Sequence, residues 1–462
     1  MSGGETAPES QGGLMIRIGK QDWVGAAADR HRRAGRDVGI KGGWRGLSAI
    51  PLGALFLAMN MGSAHAATGF LSGMKVTGDV RAYDFARFYT GVPPSQHAFA
   101  AGGAVNIMSG AVDGFSATAS FYAAHSLGLN NRNPALVDGT LAGYGRIDTF
   151  GQAFLQYRAR GVLLRAGDQL LNTPWMNPSD ARVVPATYQG LFAAIQPVSG
   201  LTVSALRITR YKSRTSDGFS NTDLYNAAGS VNVGGTGGLP GDTEPGAAAV
   251  GASYHVEGLT ATAWGYQFFN LAKMAYVEGS YTFAGAHGLA PLVGAQYVRE
   301  TGSGAQELGH VDATVYGAIV GIKHGPDLLT VGYNDLPARP GAFGNGDVVS
   351  PYTTGYATDP LYTTSMIQGM VDRKTSGHAV KVAVTAFLLQ RQVRVIAGYA
   401  RYFNTVYAGY SAPYTDEADL DVTYFLKGVL KGLSLRDRVG VAYHIPVVQR
   451  FIYNRIMVEY DF

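Results

Sequence analysis

The last nine residues, Asn454–Phe462, constrain the fold more than any other stretch. Ile456, Val458, Tyr460 and Phe462 alternate with Arg455, Met457, Glu459 and Asp461. Side chains on a strand flip faces at every residue, so this segment has one oily side and one largely polar side. The chain stops at Phe462 with nothing left to cover the oily side. Lipid outside and water inside explain the pattern as the closing strand of a membrane barrel. An ordinary sheet strand would show the same alternation, so the rest of the chain has to decide.

The amino terminus reads as an export signal. Met1–Ile40 is mostly polar, with Arg30, Arg32, Arg33 and Arg36 crowded together. Lys41 and Arg45 then precede an apolar run through Leu47–Met61 and the sequence Ser63-Ala64-His65-Ala66. That order is a basic region, an apolar region and a small-residue cleavage site, which predicts cleavage after Ala66. The run is shorter than the roughly 20 residues a spanning helix needs. Residues 1–66 are therefore expected to be leader and signal peptide, and 67–462 the transmembrane barrel. The leader is longer than export requires, and Met15 is an alternative start.

Of 37 basic and 33 acidic residues, the leader holds eight and five, so the remainder is close to neutral. A nucleic-acid-binding surface would need a concentrated basic excess. Cysteine is absent, which removes disulfides, thiolate metal sites and thiol nucleophiles.

Composition and rhythm support the barrel. The chain has 63 Gly and 27 Tyr, only 15% of it is charged, and mean hydropathy is +0.02. Tyrosine suits interfacial girdles, glycine suits bending strands, and alternating faces cancel in hydropathy. Tight turns recur at Asp113-Gly114, Ser199-Gly200, Glu257-Gly258 and Lys431-Gly432, with looser ones at 159–162, 284–289, 324–328 and 389–392. Longer polar stretches lie between them, at about 89–98, 129–147, 170–185, 209–244, 300–310, 334–377 and 403–418, with shorter ones near Asn270 and Pro446. Eight short turns and nine loops separate about eighteen antiparallel strands, with short periplasmic turns and long extracellular loops. Barrels of this size leave an aqueous lumen.

The alternation sorts charge inward. Leu435, Val439, Val441 and Tyr443 share one face, and Arg436 and Arg438 the other. Arg394 opposes Val393 and Val395, and Arg455 is inward by the opening argument. Asp437 falls on the apolar face, where either a bulge or an interfacial position would accommodate it. Arginines at i and i+2 lie about 7 Å apart on one side. Pairs on neighbouring strands would form a ladder that focuses anions, and guanidinium matches the two oxygens of a carboxylate. Alternatively, wall acids such as Glu459 and Asp421 balance these arginines and merely stabilise the barrel.

Four ordered segments resemble the OprD family of outer-membrane porins, the carboxylate-selective channels. Val80–Tyr89 (VRAYDFARFY) is similar to its LRNYYFNRDF run, with both arginines at matching spacing. Residues 180–190 (DARVVPATYQG), 325–333 (GPDLLTVGY) and 430–438 (LKGLSLRDR) resemble its later motifs. The resemblance implies an eighteen-stranded barrel with an arginine ladder leading to an eyelet narrowed by the third and seventh loops, here Leu170–Pro185 and Asn334–Gly377. Arg182 matches the family's third-loop arginine, with Asp180 and Tyr188 beside it. Arg81, Arg87, Arg436, Arg438 and Arg455 match ladder positions. The final strand departs from the pattern in carrying Arg455 alone. The seventh loop shows little motif similarity, so Asp347 and Asp359 are only candidate lumen acids.

Other chemistries find little support. His125-Ser126 are adjacent in sequence and point to opposite faces, so they cannot form a nucleophile–base contact. Hydrolase, zincin and P-loop signatures are absent. Val233–Pro240 is a Gly-rich loop without the strand-to-helix context of a phosphate site, and the later calcium ligands are missing after Asn345-Gly346-Asp347. The reading is a passive channel in the bacterial outer membrane, needing no cofactor, that contacts lipid and passes small hydrophilic solutes, carboxylates above all. A homotrimer is compatible with it. A general diffusion porin and a blocked structural or adhesion barrel are the alternatives.

Overall fold

The computed structural model describes residues 69–91, 94–142, 145–179, 181–225, 245–372, 375–407 and 410–462. The leader, its cleavage site, Asp180 and the Gly-rich stretch Val233–Pro240 lie outside the described residues. Eighteen strands follow one another: β1 Lys75–Tyr89, β2 Gln96–Met108, β3 Phe115–His125, β4 Arg146–Ala159, β5 Val162–Gln169 and β6 Thr187–Val198. Next come β7 Leu201–Lys212, β8 Ala247–Val256, β9 Leu259–Phe268, β10 Ala272–Thr282, β11 Leu289–Gly302 and β12 Asp312–His324. The last six are β13 Asp327–Leu336, β14 Gly377–Leu388, β15 Val393–Tyr407, β16 Tyr410–Phe425, β17 Leu433–Ile445 and β18 Gln449–Asp461.

Each strand pairs antiparallel with its sequence neighbours, and β1 pairs with β18 as well as β2, so the sheet closes without an edge. The seam runs to the last residue, where Gly78 and Phe462 exchange both backbone hydrogen bonds at 3.0 Å. The expected loop at 403–418 is shorter than composition suggests. β15 runs to Tyr407 and β16 begins at Tyr410, because Thr405, Phe403 and Arg401 find cross-strand partners in Ala412, Tyr414 and Asp416.

The outer wall is the apolar one. Val80, Val250, Val320, Val331 and Val382 are exposed on it. Tyr281, Tyr424 and Tyr460 mark the short-turn end, and Phe88, Tyr297, Tyr316, Tyr333 and Tyr443 the loop end, as expected of girdles at two lipid–water interfaces. The packed core sits inside the barrel, built by loops folding inward. Trp175 and Met176 of the third long loop, Tyr225 of the fourth, and Val348, Val349 and Tyr352 of the seventh pack on Tyr188, Tyr266, Phe268 and Tyr276 of the wall. A second cluster joins Val137 and Leu141 of the second loop, Val183 and Val184 of the third, and Met366 and Ile367 of the seventh to Tyr83, Phe85 and Tyr453.

Candidate functional site

Strand alternation turns Arg81, Tyr83, Phe85 and Arg87 of β1 inward, where all four are buried, while Val80 and Phe88 face out. β17 likewise turns Arg436 and Arg438 inward against outward Leu435, and β18 turns Arg455 inward against Ile456 and Val458. Register then lines these positions up. Asp421, Arg438, Arg455 and Phe85 are successive cross-strand partners from β16 to β1. Thr423 is the partner of both Arg394 and Arg436, and Arg394 Nη2 donates to Thr423 Oγ1 at 3.1 Å.

Much of this charge is met by the wall itself. Arg436 Nε donates to Asp421 Oδ1 at 2.8 Å, and Arg438 Nε lies 3.0 Å from Asp421 Oδ2. Arg81 Nε lies 2.8 Å from Asp79 Oδ2 and 3.0 Å from Glu459 Oε1. The balancing role weighed for Glu459 and Asp421 is therefore present at Arg81, Arg436 and Arg438. A guanidinium with almost no solvent contact is strongly destabilising unless paired and hydrogen-bonded, so a bare ladder would not pack this way.

Around Phe85 the arrangement differs. The guanidinium carbons of Arg87, Arg182 and Arg455 stand 5.0, 5.1 and 5.7 Å from its ring centroid. That distance is within cation–π range. Arg455 also lies 5.4 Å from the Tyr453 ring and 6.0 Å from Tyr83. Arg182 comes from the third loop, as expected, and is fully buried. Its hydrogen bonds go to neutral oxygens: Nε to Thr140 O at 2.9 Å, Nη1 to Ala181 O at 3.0 Å and Nη2 to Thr140 Oγ1 at 3.3 Å. Burial pulls its pKa down to about 10, with the Arg214 and Arg87 charges acting the same way, and it stays cationic at neutral pH.

Two further loops enter the site that sequence alone did not assign to it. Asp138 and Thr140 of the second loop reach the wall, where Arg87 Nε lies 2.7 Å from Asp138 Oδ2 and Arg87 Nη2 donates to Thr140 Oγ1 at 3.1 Å. Arg214 of the fourth loop donates to Ser179 Oγ at 2.8 Å and lies 3.6 Å from the Tyr356 ring centroid. Neither loop has a periodic pattern that would have revealed this. Tyr188, the other constriction-loop candidate among the described residues, donates to Asn177 O at 2.8 Å and packs on Tyr211 and Tyr352.

The candidate seventh-loop acids, Asp347 and Asp359, are both buried and bonded within their own loop. Asp359 Oδ1 accepts from Leu361 N at 3.0 Å and Thr364 Oγ1 at 2.6 Å, and Asp347 Oδ1 accepts from Val348 N at 2.8 Å. These short carboxylates hold turns of their own loop, as aspartate commonly does. The loop is in turn tied to the wall. Val349 N donates to Glu300 Oε2 at 2.7 Å, Met366 N to Asp419 Oδ2 at 3.1 Å, Ile367 N to Glu417 and Thr363 N to Asn334 Oδ1 at 3.1 Å.

Asp437 is not displaced by a bulge. The β17 register runs unbroken from Leu433 to Tyr443, so Asp437 faces outward and accepts from Asn454 Nδ2 at 2.8 Å. A second outward pair, His97 Nε2 with Asp84 Oδ2 at 2.8 Å, lies on β2 and β1. Asp84 and Asp437 are both register partners of Ile456, from opposite sides.

A closed eighteen-stranded barrel with an apolar outer belt and loops folded into a charged lumen defines an outer-membrane porin. The family model for outer membrane porins of the OprD family matches residues 68–353. The chain belongs to the OprD family. A search of curated proteins gives no match. Among solved structures, OccK9 (OpdG) of Pseudomonas aeruginosa superposes with a TM-score of 0.72 at 18% identity, covering 85% of this chain and 99% of that one. OpdK of the same organism with vanillate gives 0.68 at 16%, covering 85% and 100%. OccK2 (OpdF) of that organism in complex with glucuronate gives 0.67 at 15%, covering 85% and 99%. Family and fold place the protein in the bacterial outer membrane as a channel for small solutes, and point away from an enzyme.

Proposed function

We propose that the channel favours small hydrophilic carboxylates and that the arginines around Phe85 select them. The convergence of Arg87, Arg182 and Arg455 on one ring carries this reading. Three guanidinium groups from two strands and a loop offer planar paired donors, the geometry that carboxylate oxygens match. Arg81, Arg394, Arg436 and Arg438 extend the basic surface along the same wall, while Glu417, Asp419 and Asp359 gather around Lys381. The separation of the arginine cluster from these acids orients a charged solute within the lumen. Similar proteins crystallised with glucuronate and vanillate, both carboxylates, support the same chemistry.

Arg87, Arg182, Arg438 and Arg455 have almost no solvent contact in this arrangement, so a passing solute displaces parts of the second, third and seventh loops. That burial also favours a second reading, a barrel whose lumen stays blocked. Swelling of liposomes containing the purified protein separates the two. Carboxylate selectivity predicts faster swelling in glucuronate than in glucose, and a blocked barrel predicts none in either. We further propose residues 67–462 as the exported barrel, which amino-terminal sequencing of the membrane-inserted protein tests.

A further inference from the structure

We propose that Asp138 is an internal ligand of the arginine cluster, seated in the subsite that a permeating carboxylate takes, and that displacing it sets the channel's affinity for carboxylates. The proposal rests on the carboxylate reading above and adds a residue and a competition to it.

The second loop is built to deliver this group. Pro134–Leu136 forms a single 3₁₀ turn capped by Asn133, whose side chain accepts from Ala135 N at 3.1 Å. Val137 then bridges to His97 of β2, and Asp138 N donates to His97 O at 3.3 Å. The next residues enter the lumen with Leu141 fully buried behind them. Three oxygens of this short segment occupy two guanidinium groups. Asp138 Oδ2 and Thr140 Oγ1 lie 2.7 and 3.1 Å from Arg87 nitrogens, and Thr140 O and Oγ1 lie 2.9 and 3.3 Å from Arg182 nitrogens. Asp138 Oδ1 accepts from Thr140 N at 2.7 Å and is also bonded to its hydroxyl, which fixes the two residues as one unit. Thus a carboxylate already sits on the buried arginine, with a hydroxyl and a carbonyl beside it.

This makes exchange selective. Withdrawing the loop alone would leave Arg87 buried without its carboxylate, which is strongly unfavourable. A solute carboxylate restores the charge-assisted bonds as it arrives, and a neutral sugar cannot. The tethered Asp138 competes as an intramolecular ligand, at an effective concentration set by its own loop. Apparent affinity is therefore weakened by the chain's own ligand.

The test uses the full-length protein in planar bilayers and detergent, with glucuronate and glucose as probes. Asp138→Asn should lower the glucuronate concentration that half-saturates current by at least about tenfold, and Asp138→Glu should stay near the wild-type value. In the wild type, amide exchange across residues 134–142 should speed up with glucuronate and not with glucose, a readout that needs no variant. Unchanged half-saturation in Asp138→Asn, or exchange that glucuronate leaves unchanged or slows, overturns the proposal. If the wild type still swells liposomes faster in glucuronate than in glucose, the carboxylate reading survives that failure; if it does not, both fall.

Discussion

Arg438 and Arg455 are direct cross-strand partners on the inner wall, two cations side by side in the register of β17 and β18. Both are fully buried. The juxtaposition is sustained from its two flanks. Asp421 lies 3.0 Å from Arg438 Nε, and the rings of Tyr83, Phe85 and Tyr453 surround Arg455. Charge on this wall is thus held by a fixed neighbour on each side, which gives its removal a defined effect.

Replacing Arg436 and Arg438 together with Ala strips Asp421 of both partners. The expected outcome is a shift of reversal potential toward cations under a salt gradient. Stability should also fall by about 3–5 kcal/mol, the usual cost of leaving a buried ion without its partner. Adding Asp421→Asn should restore much of the stability and only part of the anion preference. Denaturant unfolding and bilayer recording of the double and triple variants check both halves.

Arg182→Ala removes three donors that bind neutral oxygens. A hydrogen bond involving a charged group is worth about 1.5–3 kcal/mol, so glucuronate flux should fall about tenfold or more. Glucose flux should change little. Equal effects on both solutes in liposome swelling would reduce Arg182 to a loop-holding residue.

Glu300→Ala should act on all solutes alike. It deprives Val349 N of its acceptor, at a cost of about 1–3 kcal/mol to the docking of the seventh loop. Open-channel conductance in potassium chloride should rise, with the ratio of glucuronate to glucose permeation unchanged. A changed ratio would mean that Glu300 acts on solutes directly.

Asp437→Asn should leave ion preference untouched, because the side chain faces the outer wall and bonds Asn454. Removing a charge from a lipid-facing position should also leave the barrel as heat-stable as before or more so. A shifted reversal potential would contradict the outward placement.

The period-2 pattern made the barrel, its eighteen strands and the inward arginines legible, because side-chain direction follows from local alternation alone. It put Asp437 on the apolar face but left open whether a bulge moves it. What looked like a violation was the missing partner, since Asn454 lies on the next strand and only register brings it close. The same limit hid Asp138, Thr140 and Arg214. They sit in loops without periodicity, and their contacts with Arg87, Arg182 and Tyr356 depend on how those loops fold into the lumen. Residues 403–418 misled for a different reason. Glycine, proline and aspartate there resemble a loop, yet the cross-strand pairs of β15 and β16 carry the chain through.

Single-channel recording of the purified protein in a potassium glucuronate gradient tests carboxylate selection most directly. The arginine wall predicts discrete openings with a reversal potential on the anion side, so that glucuronate itself carries current. Openings that reverse on the cation side, or an absence of conductance, would contradict it.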